Sequence, residues 1–183
     1  MILNFDMKKA IGATAYLIER EGGTASMFSL LKALYYADRS ALINWGKPIT
    51  GDSFASLDKG PVVTRIYDLL KGKGFEKDMA EWNDVIRRDG NSVSMRKRAD
   101  TTILSEREIE LLEHSRATIR NIRGPIADWL HQNCPEWEDP HGSSIPIDPT
   151  QILRQAGKSE EEIRTTEEAN EEIRLLNHML DSR

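Results

Sequence analysis

Between Met27 and Trp45 an acid stands where a folded chain has least room for one. At 100° per residue, Met27, Leu31, Leu34, Asp38, Ala41, Leu42 and Trp45 form one helical stripe, and Asp38 lies near its centre. An ionised carboxylate buried alone is very costly, so this one must be paired, hydrogen-bonded, protonated or placed at the lip of a cleft. The residues that follow supply the candidates: the backbone amides of the bend GKPITGD, a helix N-terminus opened by Pro61, and the side chains of Arg65 and Lys59. Each candidate folds the bend back onto the helix. A general base would want a second titratable partner, and none is close in sequence, so the expected role of Asp38 is architectural.

The flanking pattern is largely helical. A first helix is expected from Asp6 to Arg20, with Met7, Ile11, Thr14 and Ile18 on one face and Gly22-Gly23 ending it. Thr24 or Ser26 caps the second helix, which Gly46 and Pro48 break, and GKPITGDSFASLDKG reads as a loop with one short strand. Pro61 after Gly60 suits the first position of a helix through Lys71. DVIRRDGNSVSMRK alternates about Asp89-Gly90, a type I′ hairpin signal. Ser105 with Glu108 forms a capping box for a helix through Asn121, Gly124-Pro125 opens a short helix, and another is expected over Thr150–Ala156. Ser159 with Glu162 repeats the box and starts a last helix. The fold class read from this is α+β, mainly α-helical: a compact helical domain with a small β-hairpin, and a C-terminal amphipathic helix. The body is placed at residues 1–157 and the acidic helix at 158–183.

That last segment carries the charge of the chain. From Ser159 to Arg183 eight acids face three arginines, which accounts for the whole net charge of −5 and leaves the preceding residues balanced. A neutral body with an acidic arm is a poor polyanion binder, which disfavours nucleic acid as a partner. Ile163, Thr166, Ala169, Ile173, Leu176 and Leu180 recur at helical spacing, so the arm is expected to dock: on the body first, on a partner second, with a homo-oligomer compatible. No apolar run approaches the ~20 residues that span a bilayer, and the N-terminus lacks the order of a signal peptide. With Cys134 the single cysteine, no intrachain disulfide can form, and a cytoplasmic protein is expected.

Other residues invite sharper readings. His131, Cys134 and His141 have loose zinc-like spacing, but structural zinc wants four ligands in tight pairs, so neither metal nor cofactor is expected. His131 is expected to hydrogen-bond a loop carbonyl and Trp137 to cover the core edge. Cys134 with His131 lacks an oxyanion loop and a third member, so no catalytic residue is assigned and an enzyme is not expected. Arg87, Arg88, Arg96, Lys97 and Arg98 make a basic hairpin without aromatic platforms, read as solvated or as a dock for acidic surface. On the helix face opposite the stripe, Lys32, Tyr36 and Ile43 project together with Arg39 beside them; an exposed Tyr and Ile flanked by cations suit a protein contact, and packing against another helix of the same chain suits them equally.

The block from Leu30 to Leu70 resembles the signature of the Panacea domain family, the SocA-like, phage-associated antitoxin domain. The matching pieces are Tyr35-Tyr36-Ala37-Asp38, Gly46 with Pro48-Ile49-Thr50-Gly51-Asp52, Gly60-Pro61-Val62, and Tyr67 followed by Leu69-Leu70. LSEREIELLEHS and WLHQNCPEW resemble the family's later segments, giving His131, Pro135 and Trp137. The likeness extends over about residues 5–155, with SFASLDKG more polar than the strand that usually precedes Gly-Pro. It implies structural roles for Tyr35, Asp38, Gly46, Pro48, Thr50, Gly51, Asp52, Gly60, Pro61, Tyr67, His131 and Trp137. It also implies an antitoxin that silences a co-encoded protein toxin by direct binding. One kind of member, in addition, delivers its toxin to a Clp-type protease as an adaptor. A separate DNA-binding domain ahead of the core is not expected.

Overall fold

The computed structural model describes residues 1–181, in which eight helices surround two small antiparallel sheets. Helix α1 (Met7–Arg20) starts at Asp6, whose carboxylate accepts the Lys9 amide at 3.0 Å. A three-residue strand β1 (Thr24–Ser26) leads into α2 (Met27–Trp45), capped by Ser26 at its start and by Gly46 at its end. Gly46 takes a φ of 82°, the left-handed conformation that closes a helix and that glycine adopts without steric cost.

The chain then turns back as β2 (Phe54–Leu57) and β3 (Gly60–Val63), a hairpin in which Phe54 faces Val63 and Leu57 faces Gly60. The helix expected at Pro61 therefore begins three residues later, as α3 (Thr64–Leu70). Pro61 is the second residue of β3, and the polar stretch before it is a strand after all. Helix α4 (Glu76–Val85) runs directly into the hairpin of β4 (Ile86–Asp89) and β5 (Ser92–Met95). Asp89 pairs with Ser92, so the turn centres on Gly90-Asn91, one residue beyond the expected place. Gly90 has a φ of 59° and Asn91 is not left-handed, the pattern of a type II′ and not a type I′ turn.

Helix α5 (Glu106–Asn121) opens with the expected capping box of Ser105 and Glu108. After α6 (Ile126–Asn133), β6 (Ile145–Ile147) joins the outer edge of β2, and α7 (Pro149–Gln155) and α8 (Glu160–Asp181) complete the chain. The sheets run β1-β5-β4 and β3-β2-β6. Helix α2 is the central element: Leu30, Leu31, Ala33, Leu34, Tyr35, Ala37, Ala41 and Leu42 are all buried, among α1, α5, α7 and β3. A helix apolar on nearly every side is a core helix, and this one has no broad face left for solvent. Among the described residues no helix is long and apolar enough to cross a membrane.

Candidate functional site

Asp38 is fully buried, and the bend after α2 supplies its partners. The Thr50 amide donates to Asp38 Oδ1 at 3.0 Å, and the Thr50 hydroxyl bonds Oδ2. Arg65 and Lys59, the side chains expected as alternatives, take no part; Arg65 pairs with Asp78 at 2.7 Å and lies over the Phe5 ring. Burial dominates the electrostatics and pushes the Asp38 carboxyl up to about 7, against the hydrogen bonds from Thr50. Thr50 Oγ1 also accepts the Asp52 amide at 3.2 Å, which ties the bend to itself.

Asp52 does what the sequence suggested for Asp38. Its carboxylate accepts the amides of Arg65 and Ile66, each at 2.9 Å, and so satisfies the first turn of α3 from twelve residues or more away in sequence. Burial raises this carboxyl too, to about 6. Between the two acids, Gly51 lies under the N-terminal segment. A Cβ there would stand 1.9 Å from the Asn4 carbonyl oxygen, and the φ of 67° disfavours any side chain independently. The Asp6 amide then donates to the Thr50 carbonyl at 2.8 Å. The run Pro48–Asp52 is thus a junction joining α2, α3 and the N-terminus.

Two further ties leave α2. Tyr35, buried and edge-on to Phe54, donates its hydroxyl to Glu136 Oε1. Arg39 grips the same carboxylate with both ends, Nε at 2.6 Å and Nη2 at 3.2 Å. The Lys32 ammonium donates to the carbonyls of Gly60 and Pro61 at 2.7 and 2.9 Å. Burial lowers the Lys32 pKa to about 7. Gly60 itself passes between Lys32 and Leu130, where an added Cβ would press on Leu130 at 3.3 Å.

These contacts correct the expectation of a free binding face at Lys32, Tyr36, Arg39 and Ile43. Lys32 is 2% exposed beneath β3, Tyr36 is half-buried edge-on to Trp129 of α6, Arg39 is held by Glu136, and Ile43 packs on the core. The stripe reading treated α2 as a surface helix. Leu30, Ala33, Tyr35 and Ala37, apolar and off that stripe, were the signal that it is not. Glu136 carries no local sign of its role in this frame, since its two partners lie about a hundred residues upstream.

His131 stacks on Trp137, ring centres 3.6 Å apart, and its Nε2 is enclosed without the expected carbonyl partner. Trp137 donates Nε1–H to the Leu57 carbonyl at 2.9 Å, which closes the end of the β2–β3 hairpin. Tyr67 lies beneath the Lys71 ammonium, and Pro48 is buried in the bend. Cys134 is buried, and burial pushes its thiol up to about 12, which is the opposite of an activated thiolate. Among the described residues no three His, Cys, Asp or Glu side chains converge on a point that would hold a metal ion. The basic hairpin is occupied in part: Lys97 pairs with Asp84, and Arg88 donates to the carbonyls of Gly90 and Leu70.

The chemistry of this cluster is that of a frame. Its acids and cations face backbone groups or one another inside the chain, and none presents a nucleophile or a proton donor to a cleft. A family model described as antitoxin SocA-like, Panacea domain, matches residues 30–138, from within α2 to the residue after Trp137. The match is shorter at both ends than the likeness read from the sequence. No curated protein and no solved structure matches the chain.

Proposed function

This chain belongs to the SocA-like antitoxin family with the Panacea domain, and on that premise we propose that it neutralises a co-encoded protein toxin by direct, stoichiometric binding. Membership places it with the antitoxins, which implies a toxin as partner in general and favours a non-enzymatic role. The observation that supports binding over chemistry is the inward use of the motif: Asp38, Asp52, Arg39, Glu136 and Lys32 are each committed to a contact within the chain. In this reading residues 1–157 form the body that the motif residues hold in shape, and residues 158–183 are an appended arm that carries α8. A body held rigid by such ties keeps its surface in one shape for a partner, which limits the ordering cost of association.

Co-expression with the product of the adjacent reading frame tests the proposal. The wild-type chain is expected to restore growth and to co-purify with that product in a fixed ratio. Growth arrest that persists with both proteins present and folded would overturn it. The same strains separate occlusion from delivery to a protease. Under occlusion, rescue survives deletion of the Clp-type protease and the toxin accumulates in the complex; rescue that disappears in that deletion makes the chain an adaptor.

A further inference from the structure

Helix α8 changes character along its length. Its first half is seated on the body: Ile163 is 3% exposed, Thr166 lies against Gly46, and the Asn170 amide donates to the Gly46 carbonyl at 2.8 Å. Arg154 of α7 grips Glu160 at 2.7 Å in the opening turn. Past Asn170 the described apolar side chains stand in solvent: Ile173 is 39% exposed, Leu175 49%, Leu176 59% and Met179 67%. Four of the six exposed large apolar side chains among the described residues therefore fall within seven positions of one helix. Scattered single exposed apolar residues are ordinary, but a cluster of this kind marks an interaction surface.

The charge around the cluster selects its occupant. Ile173, Leu176 and Met179 follow at three-residue intervals, and Leu175 and Met179 at four, so the ridge spans about two turns. Glu167, Glu168, Glu171 and Glu172 precede or border it, and the one arginine there, Arg174, is taken by Glu171 on the same helix. A second copy of α8 laid in parallel along the ridge would set Glu167, Glu168, Glu171 and Glu172 against the same four acids. Like charges juxtaposed across an interface oppose association, whereas a groove rimmed by lysines and arginines is complementary.

We propose that the distal half of α8, from Ile173 onward, is the element with which this chain grips its toxin, entering an apolar groove flanked by basic residues on that protein. The inference rests on the antitoxin reading above. The mode is that of an amphipathic helix laid into a groove, with apolar anchors at helical spacing. The first half of the helix, fixed on α2 and α7, holds the gripping half in helical form before contact, and the acidic flanks speed encounter with a basic partner.

The test uses the full chain and the product of the adjacent reading frame. Leu176→Glu with Met179→Glu alters two exposed residues, so the melting temperature is expected to stay unchanged. Binding to that protein should weaken by at least about tenfold, with loss of growth rescue. In a second variant, Glu168→Lys with Glu172→Lys leaves the ridge intact and should weaken binding while flattening its dependence on salt. A wild-type chain that neither binds nor rescues removes the antitoxin reading itself. A wild-type chain that rescues, alongside a folded L176E/M179E variant that binds and rescues as well as it does, removes the α8 proposal alone. A wild-type dimer that L176E/M179E converts to a monomer, with rescue unaltered, assigns the ridge to a second copy and overturns the proposal as well.

Discussion

Gly51 has no freedom to be anything else. Its φ of 67° disfavours a Cβ, and the place where that Cβ would go is filled by the Asn4 carbonyl, which belongs to the backbone and cannot rotate aside. Gly51→Ala is expected to cost more than about 3 kcal/mol, read as a fall in the denaturant midpoint, because strain and displacement of the N-terminal segment act together. Asp38 yields a finer prediction. Either protonation state can keep both contacts to Thr50, since the amide donates to one oxygen and the short hydroxyl contact can run in either direction. Asn reproduces the neutral acid, with an oxygen for the amide and an N–H for the hydroxyl oxygen. Asp38→Asn should therefore lie within about 1 kcal/mol of wild type at neutral pH, while Asp38→Ala, which strands the Thr50 groups in the core, should cost about 1–3 kcal/mol. Equal losses in the two variants would show that charge, and not hydrogen bonding, carries the tie.

At the scale of elements, α8 divides at Asn170, and truncation should reveal the division. Ending the chain at Lys158 uncovers the seat of Ile163 and is expected to lower stability by about 2 kcal/mol in thermal or denaturant melts. Ending it at Glu172 leaves the seat whole and should change stability by no more than about 0.5 kcal/mol. A matching loss in both truncations would mean that the distal turns also hold the body together. What could be read of these elements beforehand was what local chemistry decides. Ser26 and Gly46 bound α2, and the Ser105–Glu108 and Ser159–Glu162 boxes mark two helix starts, because a cap is made within four residues. The strands were harder. Residues Thr24–Ser26 and Ile145–Ile147 are each three residues long and form strands only because β5 and β2 lie alongside, about 70 and 90 positions away. Asp52 could be named in the bend but not matched to α3, since that helix was placed at Pro61 and begins at Thr64. The carboxylate of Glu136 gave no local sign of Tyr35 and Arg39, and the exposed face drawn through Lys32 failed because the covering elements, β3 and α6, come later in the chain. Leu180 in the docking stripe and the charges of Asp181 and Arg183 lie outside the described side chains.

For the molecule as a whole, three buried ionisable groups set a pH signature. Burial raises Asp38 and Asp52 from 3.8 to about 7 and about 6, so the folded chain keeps protons that the unfolded chain releases. Their contribution to stability is complete below pH 3.8 and is lost as pH rises through 6 and 7. Lys32 works in the opposite sense: burial lowers it from 10.5 to about 7, so its contribution is complete above pH 10.5 and is lost as pH falls through 7. Neutral pH meets both losses. Denaturant melts at about pH 5, 7 and 9 should show Asp38→Asn reducing the fall between the first two, and Lys32→Met removing much of the rise between the last two. Parallel profiles for wild type and both variants would mean that these side chains are ordinary titrating groups. Helix α8, seated at Gly46 and Thr166, has a mechanical consequence. The eleven helical steps from Asn170 to Asp181 make a lever about 16 Å long, so a tilt of about 10° at the fulcrum swings its tip by about 3 Å. Gly46→Ala, which pushes a methyl toward Thr166, would thus re-aim the far end of the lever without altering a single atom there.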